Sequence, residues 1–477
     1  MNQQTKTDGA AASTGGAKRR RAVARPKAHG PGPIPERPSL PPTVSRFVTM
    51  ERDVATTFRP RMLQALQHQI DVETEAVRAS PPICSRGGCG RVMARGGRPT
   101  ITRLTLFGLL SIDADVFRCK ACKTRCQPLL DRLGIEPGRV SGALARLIAL
   151  LGVVAPYQLA AQLVGILLGV EIDAMVVWRE VNRLGKQCEE YDQALSRYHG
   201  DGRTHSVVPV AAPDVVLLEP DGAALGMQRA KRKKRSATSI AALPSQPSEF
   251  REVKTGVLML PSDRVESSPG RHCSIRRILV TCLGDADTLF ARLWSELQEL
   301  GWFGTNTVVV IIGDGAEWIW NRASMFARRC EILDFWHAVE HAWEFARLQF
   351  GEDSKLGANW AHTLKTRLRN GEVAQVIEQL RGTPCTEPEA RKALDKLIKY
   401  YTDNAMRMRY DEYIRLGYGI GSGAVESAHK QLLHARLRQA GMRWSERGAA
   451  HLLALRVRLL NGRWPELDLM PRGSLAA

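Results

Sequence analysis

Thr307–Asn321 reads TVVVIIGDGAEWIWN, and Thr307 to Ile312 within it is an almost unbroken β-branched run. That is the composition of a strand buried on both faces and hence central in a sheet. The strand delivers Asp314 at its carboxyl end, followed by Gly315 and an apolar segment that reads as a helix. Ligands collect outside the carboxyl ends of strands in open α/β sheets, so a carboxylate there is placed to bind a metal or a substrate. The plain alternative is an Asp-Gly turn that only stops the strand.

Upstream, Val215 to Glu219 reads as a strand running into Pro220, Asp221 and Gly222, again ending on a carboxylate. The basic stretch from Lys231 to Ser248 reads as a long loop, either solvated or touching phosphates. Arg251 to Leu260 and Arg276 to Cys282 read as strands, Ala286 to Leu300 as an amphipathic helix and Cys330 to Leu333 as a short closing strand. Three strands, helix, strand, helix, strand is the order of the ribonuclease H-like α/β fold, in which carboxylates on two neighbouring strands meet a third on a later helix. Residues 337–415, helical and charged, read as an insertion before that helix. The helix is expected in GSGAVESAHKQLLHARLRQAG, with Ser422 as its N-cap and Gly441 as its end. Glu426 falls in its first turn, where the modest alternative is to complement the helix dipole, worth a few tenths to about 1 kcal/mol.

Asp221, Asp314 and Glu426 thus fall at matching positions of one expected sheet and helix. Together they can hold two divalent ions about 4 Å apart, one activating an attacking water or hydroxyl and the other stabilising the leaving oxygen. Hard oxygen ligands suit Mg²⁺ or Mn²⁺. Glu219, Asp214 and Glu317 are rival ligands, Glu317 the weaker because it lies past the turn.

The 477 residues carry a formal net charge of +19, which draws polyanions, nucleic acid above all. No apolar run reaches the eighteen or so residues of a membrane span; the nearest, Leu147 to Val170, is broken by Pro156, Gln158 and Gln162. A polar, then basic N-terminus without an apolar core points to a cytoplasmic, nucleoid-associated protein. Residues 1–45, with Lys18-Arg19-Arg20-Arg21 and a Pro-rich run from Pro26 to Pro42, read as a disordered tail or an arm on phosphates. Ser45 to Arg78 reads as helical.

Cys84 and Cys89, then Cys119 and Cys122, form two close pairs separated by twenty-nine residues. Such pairs present four thiolates to a structural Zn²⁺, with no open position for catalysis. Thr100 to Phe107 and Ser111 to Arg118 alternate around Gly108 as a β-hairpin would, so the whole reads as a zinc ribbon. Cys126 competes with Cys122 as fourth ligand. Pro156 to Leu168, a turn at Gly169 and Ile172 to Leu184 have the lengths of a helix-turn-helix, whose second helix would turn Arg179, Asn182, Arg183 and Lys186 outward to DNA. An ordinary helical hairpin gives the same pattern.

The stretches LEPDGAA, VIIGDGAEWIWN, ILDFWHAVEHAWEFA and the block from Gly421 to Trp464 together resemble bacterial insertion-sequence DDE transposases of the Kra group, related to the Mutator-like elements. The resemblance spans Cys84 to Trp464 and rests on the last three blocks. It implies that Asp221, Asp314 and Glu426 are the metal-binding triad of a DNA strand-transferase. It also implies that Asp334 and His337 match an Asp-x-x-His motif, with His337 on a phosphate, a flipped base or a metal-bound water; a core histidine is the alternative. Arg436, Arg438, Arg443 and Trp444 would line a DNA channel, with Trp444 stacking on a base or packing in the core. Pro220 and the long basic loop depart from the smoother strand expected around Asp221.

The expected plan is therefore a tail (1–45), a helical segment (46–82), a zinc ribbon (83–132), a helix-turn-helix-like region (133–203), a ribonuclease H-like core (204–336 and 416–465) interrupted by a helical insertion (337–415), and a second tail (466–477). The expected partner is duplex DNA, as terminal inverted repeats and as target, with a homodimer or larger assembly holding two ends. A domesticated binder without activity, a cellular nuclease of the same fold and an RNA-binding regulator are the rival readings.

Overall fold

The structure, a computed structural model, describes residues 45–200, 212–228, 249–268 and 271–469. The basic run 18–21, the Pro-rich stretch 26–42 and the basic loop 231–235 lie outside the described residues. Two compact units are distinguished, Met1–Arg59 and Pro60–Ala477. In the first, the described residues open helix α1 (Arg46–Ala79) and expose Phe47, Met50 and Val54.

In the second unit, α1 buries Ile70, Thr74 and Val77 against a small β module. Its strands are β1 (Ala94–Gly97), β2 (Thr100–Thr105), β3 (Gly108–Asp113), β4 (Val116–Arg118) and β5 (Arg125–Cys126), followed by helix α2 (Pro128–Leu133). β2 pairs with β3 as a hairpin, while β1, β4 and β5 make a separate three-stranded sheet. The expected hairpin arm Ser111 to Arg118 is therefore two strands. The break falls at Asp115, whose buried carboxylate meets Arg78 of α1 at 2.7 Å and Arg95 of β1 at 3.2 Å. A buried charge must be paired, and both partners lie outside the hairpin.

Helices α3 (Gly142–Val154), α4 (Tyr157–Leu168) and α5 (Ala174–Gly200) follow. Gly169 ends α4 at φ 61°, a left-handed cap that glycine adopts without strain. Then come β6 (Val215–Gly226), β7 (Phe250–Met259), the small hairpin β8 (Arg264–Ser268) and β9 (Arg271–Ser274), β10 (Ile278–Leu283), α6 (Ala286–Glu299), β11 (Val308–Gly313), α7 (Glu317–Ala323) and β12 (Arg329–Leu333). The main sheet has the order β10-β7-β6-β11-β12. β6, β7 and β10 run antiparallel, while β11 is parallel to both β6 and β12. The molecule is thus mixed α/β with a mixed five-stranded sheet.

β11 is buried on both faces. Val309 and Ile311 pack with Leu289, Phe290 and Leu293 of α6, whereas Val310 and Ile312 face the larger core shared with the later helices. Each such side chain contributes about 1.5–3 kcal/mol on burial. β6 departs from expectation: it does not stop at Pro220 but continues through Asp221 to Gly226, paired with β7 throughout. Its pairing with β11 ends at Leu218. From Glu219 on that edge is unpaired until Trp444 bridges to Met227, and a proline is tolerated there.

Residues 335–415 hold α8 (Phe335–Phe350), α9 (Lys355–Arg369), α10 (Val373–Arg381), α11 (Pro388–Asn404) and α12 (Tyr410–Arg415). The expected single helix from Ser422 to Gly441 is instead the short α13 (Gly423–His429), a π-helical turn over Lys430–His434 and a series of turns. The Gln431 carbonyl accepts from Arg456 Nε at 2.9 Å, and the Ala435 amide reaches back to the Lys430 carbonyl at 3.0 Å, five residues away. Arg456 belongs to α14 (Glu446–Leu460), which packs on α5 and β10. Gly185 makes the α5 contact possible, since a Cβ there would lie 2.4 Å from the His451 carbonyl oxygen. That packing, beyond Leu184, explains why α5 is longer than a recognition helix requires. Among the described residues no helix is long and apolar enough to cross a membrane.

Candidate functional site

Two groups of side chains carry chemistry, and the cysteines are the simpler. The sulfur atoms of Cys84, Cys89, Cys119 and Cys122 all lie within 4.8 Å of one another. Cys84 Sγ is 3.3 Å from Cys122 Sγ, and Cys89 Sγ is 3.6 Å from Cys119 Sγ. Four Zn–S bonds of about 2.3 Å in a tetrahedron put sulfurs about 3.8 Å apart, so the four residues fit a zinc-like ion. Tight turns present them: Gly88 and Gly90 have positive φ after the first cysteine, and Lys123 does so at φ 62° after the last. Cys126 turns away, 3.6 Å from Met93 Sδ, which leaves Cys122 as the fourth member. A hydrogen bond from Thr124 lowers the Cys122 thiol to about 6, whereas the contact with Cys119 helps raise Cys89 to about 11.

The second group lies along β6, β11 and α13. The parallel pairing of β11 with β6 runs at a constant offset of 93 residues, from Val308 opposite Val215 to Ile311 opposite Leu218. Asp221 and Asp314 each lie three residues past the last pair, Leu218 with Ile311, Asp221 still within β6 and Asp314 just after β11. Asp314 Oδ1 accepts from the Ala316 amide at 3.0 Å, and its own carbonyl accepts from Tyr400 Oη of α11 at 2.7 Å. Gly315, at φ 99°, makes the turn; a Cβ there would sit 2.9 Å from the Tyr400 ring. Asp221 Oδ1 accepts from the Gly222 amide at 2.6 Å, and Oδ2 lies 3.2 Å from His429 Nδ1.

Glu426 is exposed on α13, between two points where that helix is tied to β6. Before it, the amides of Ala424 and Val425 donate to Glu219 Oε2 at 2.8 and 3.1 Å. After it, His429 meets Asp221. The carboxylates of Asp221, Asp314 and Glu426 are not gathered as closely as the cysteines: among the described residues only the four thiols come together within 4.8 Å as a set of three or more. Oxygens shared between two ions about 4 Å apart spread more widely than that.

Glu219, a rival ligand in the sequence, is 2% exposed and spends its carboxylate on backbone. Burial pushes it up to about 7, against the pull of the two amides. Asp334 is also buried. Its Oδ1 accepts from the His337 amide at 2.8 Å, and Oδ2 accepts from the amide and the hydroxyl of Ser422, both at 2.5 Å. These bonds hold its carboxyl below the usual range although burial opposes them. The His337 ring is 37% exposed, with Nδ1 in a long 3.4 Å contact to Asp334 Oδ1. That interaction, with the charges of Asp334 and Asp314, raises the imidazole to about 9.

The expected DNA-facing residues divide. Arg179, Lys186, Arg438 and Arg443 are exposed, although Lys186 pairs with Glu190 at 3.4 Å. Arg183 is half-buried and neutralised by Glu136 and Glu180 at 2.8 and 2.9 Å. Arg436 does not line a channel. It is 1% exposed, donates to the Gly152 carbonyl at 3.1 Å and lies 5.0 and 5.3 Å from the ring centres of Tyr157 and Trp444, which meet edge to face. Trp444 is half-buried against the core, its indole nitrogen donating to the Leu437 carbonyl at 2.9 Å. Sequence reasoning missed His429, 6% exposed with Nε2 unpartnered. Its place three residues after Glu426, on the same helix face, was the available signal.

No protein-family model matches the chain, and no curated protein matches it.

Proposed function

We propose that this chain is a DNA transposase that cuts and joins phosphodiesters at Asp221, Asp314 and Glu426 within a ribonuclease H-like core. The observation that carries the reading is that Asp221 lies on β6 and Asp314 directly follows the neighbouring parallel strand β11, with the Glu426 helix tied to β6 through Glu219 and His429. The strand order and directions agree with that fold: a three-stranded antiparallel part, then two strands parallel to its first. The helices between β12 and α13 correspond to an insertion ahead of the third carboxylate. A cysteine module and a helical region precede the core, and the net charge of +19 suits duplex DNA.

Asp221, Asp314 and Glu426 would hold Mg²⁺ or Mn²⁺, which when bound polarise the phosphate and lower the pKa of the attacking water or hydroxyl. The chain's own residues fix the geometry. Gly222 and His429 orient Asp221; Ala316 and Tyr400 orient the turn of Asp314. His337, cationic at neutral pH, is suited to a phosphate oxygen of the strand being cut. The released 3′-hydroxyl is then directed at a phosphodiester of target DNA. Two element ends must meet, so the working form is a homodimer or larger on terminal inverted repeats.

The test is cleavage of a labelled duplex carrying the DNA that flanks the reading frame, in Mg²⁺ or Mn²⁺, beside Asp314→Asn. Cutting at a repeat terminus by the wild type and not by the variant is expected. Equal cutting by Asp314→Asn would sink the assignment, and binding without cutting would favour the domesticated binder.

A further inference from the structure

We propose that Glu219 is a positioning residue: its buried carboxylate, together with that of Asp334, holds the first turn of α13 against the sheet and so sets where Glu426 stands relative to Asp221. The inference rests on the catalytic reading of Glu426, but its structural half stands alone.

Together with the π-helical turn that continues it to His434, α13 is only twelve residues long, too short to hold its place by its own hydrogen bonds. Its first amides need acceptors, ordinarily met by an N-cap side chain. Ser422 stands at that position yet makes no capping bond; its hydroxyl donates instead to Asp334. The amides of Ala424 and Val425 go to Glu219, more than two hundred residues earlier in the chain. Arg277 adds a third hold, donating to the Ala424 carbonyl at 3.4 Å and to Gln431 Oε1 at 2.6 Å.

A local serine or aspartate cap would satisfy the same amides without burying a carboxylate, which is costly. What the distant acceptors add is location. Glu219 and Asp221 are two residues apart on β6 and share a face of the strand. One bonds α13 just before Glu426 and the other meets His429 just after it, so the spacing of β6 is transferred to the helix. Val425 and Ala428, both fully buried, seat the helix but leave it able to slide or tilt. The carboxylates remove that freedom, and a displacement of about 1 Å costs on the order of a hundredfold in rate where reacting groups must align.

The experiment uses the full chain, with Glu219→Gln, Glu219→Ala and Asp314→Asn, read by hydrogen–deuterium exchange over residues 422–429 and by metal-dependent cleavage. Glu219→Gln keeps an acceptor oxygen. Its exchange and cutting should stay within about threefold of wild type, as a loss of charge alone should not loosen the turn. Glu219→Ala should speed exchange at Ala424 and Val425 by about tenfold or more. It should also lower kcat by about 10–100-fold with KM for the duplex within about twofold. Asp314→Asn should abolish cutting and leave exchange unchanged.

Exchange in Glu219→Ala equal to wild type would overturn the proposal, as would a Glu219→Gln as inactive as Asp314→Asn with normal exchange, the mark of a metal ligand. Should Glu219→Ala fail to fold, Glu219→Gln still decides between acceptor and ligand. If the wild type cuts no DNA, the catalytic reading fails while the exchange data still judge the hold on α13.

Discussion

The Arg436 guanidinium sits over the rings of Tyr157 and Trp444 with no carboxylate at hand, and burial lowers its pKa. Seven residues on, Arg443 is exposed beside the end of β6. Sequence alone gave both the same part, because an arginine every few residues near a tryptophan looks the same whether it faces DNA or a core. Arg436→Ala is expected to destabilise the folded chain by about 2–5 kcal/mol, the cost of emptying a packed site, while Arg443→Ala should stay within about 0.5 kcal/mol; urea unfolding checks both. His337 gives a pH prediction. Its folded value of about 9 lies above its ordinary 6.5, so the stabilisation it brings is complete below about 6.5 and lost as pH rises through 9. Thermal melting of the wild type should therefore show a fall across that window that His337→Gln lacks. Melting curves of equal slope in both proteins would mean that the ring gains nothing from Asp334.

At the scale of elements, the cysteine module gathers four thiols that could hold a metal such as zinc. Cys84, Cys89, Cys119 and Cys122 share a small core with Ile70 and Val77 of α1, and so few buried residues do not hold such a module without an added constraint. Cys122→Ser should lose a bound zinc that Cys126→Ser retains, read by metal analysis of the purified protein, and a chelator should loosen the module in the wild type. Retention by Cys122→Ser with loss by Cys126→Ser would reverse the assignment. The elements that could be read in advance were those with strong local pattern: the β-branched run of β11, the amphipathic α6 and the cysteine pairs. Those that could not were set by distant partners. β6 runs through Pro220 because only one of its edges is paired there, and the helix after Ser422 breaks because Arg456 takes the Gln431 carbonyl. Asp314 was legible as a strand-end carboxylate, whereas Asp221, expected at a strand end, lies within β6. The roles of Glu219 and His429 were not legible, because they depend on the docking of α13 across the sheet.

For the whole molecule, charge is the property that reaches furthest, and it makes a quantitative demand on DNA binding. A protein that neutralises Z phosphates loses affinity with a slope of about −0.9Z in log K against log salt concentration. With +19 net charge, a slope steeper than about −5 is expected for the full chain on duplex DNA, corresponding to about six or more phosphate contacts. The exposed arginines should each carry a share: Arg438→Ala and Arg443→Ala should each make the slope shallower by about one unit if they touch phosphate. Arg436→Ala should leave the slope unchanged at temperatures where it is folded, because its charge is spent inside the protein. Fluorescence anisotropy across a salt series measures all four proteins under one set of conditions. A shallow slope in the wild type would mean that the positive charge is not directed at nucleic acid, and the transposase reading would lose its partner before any question of catalysis arose.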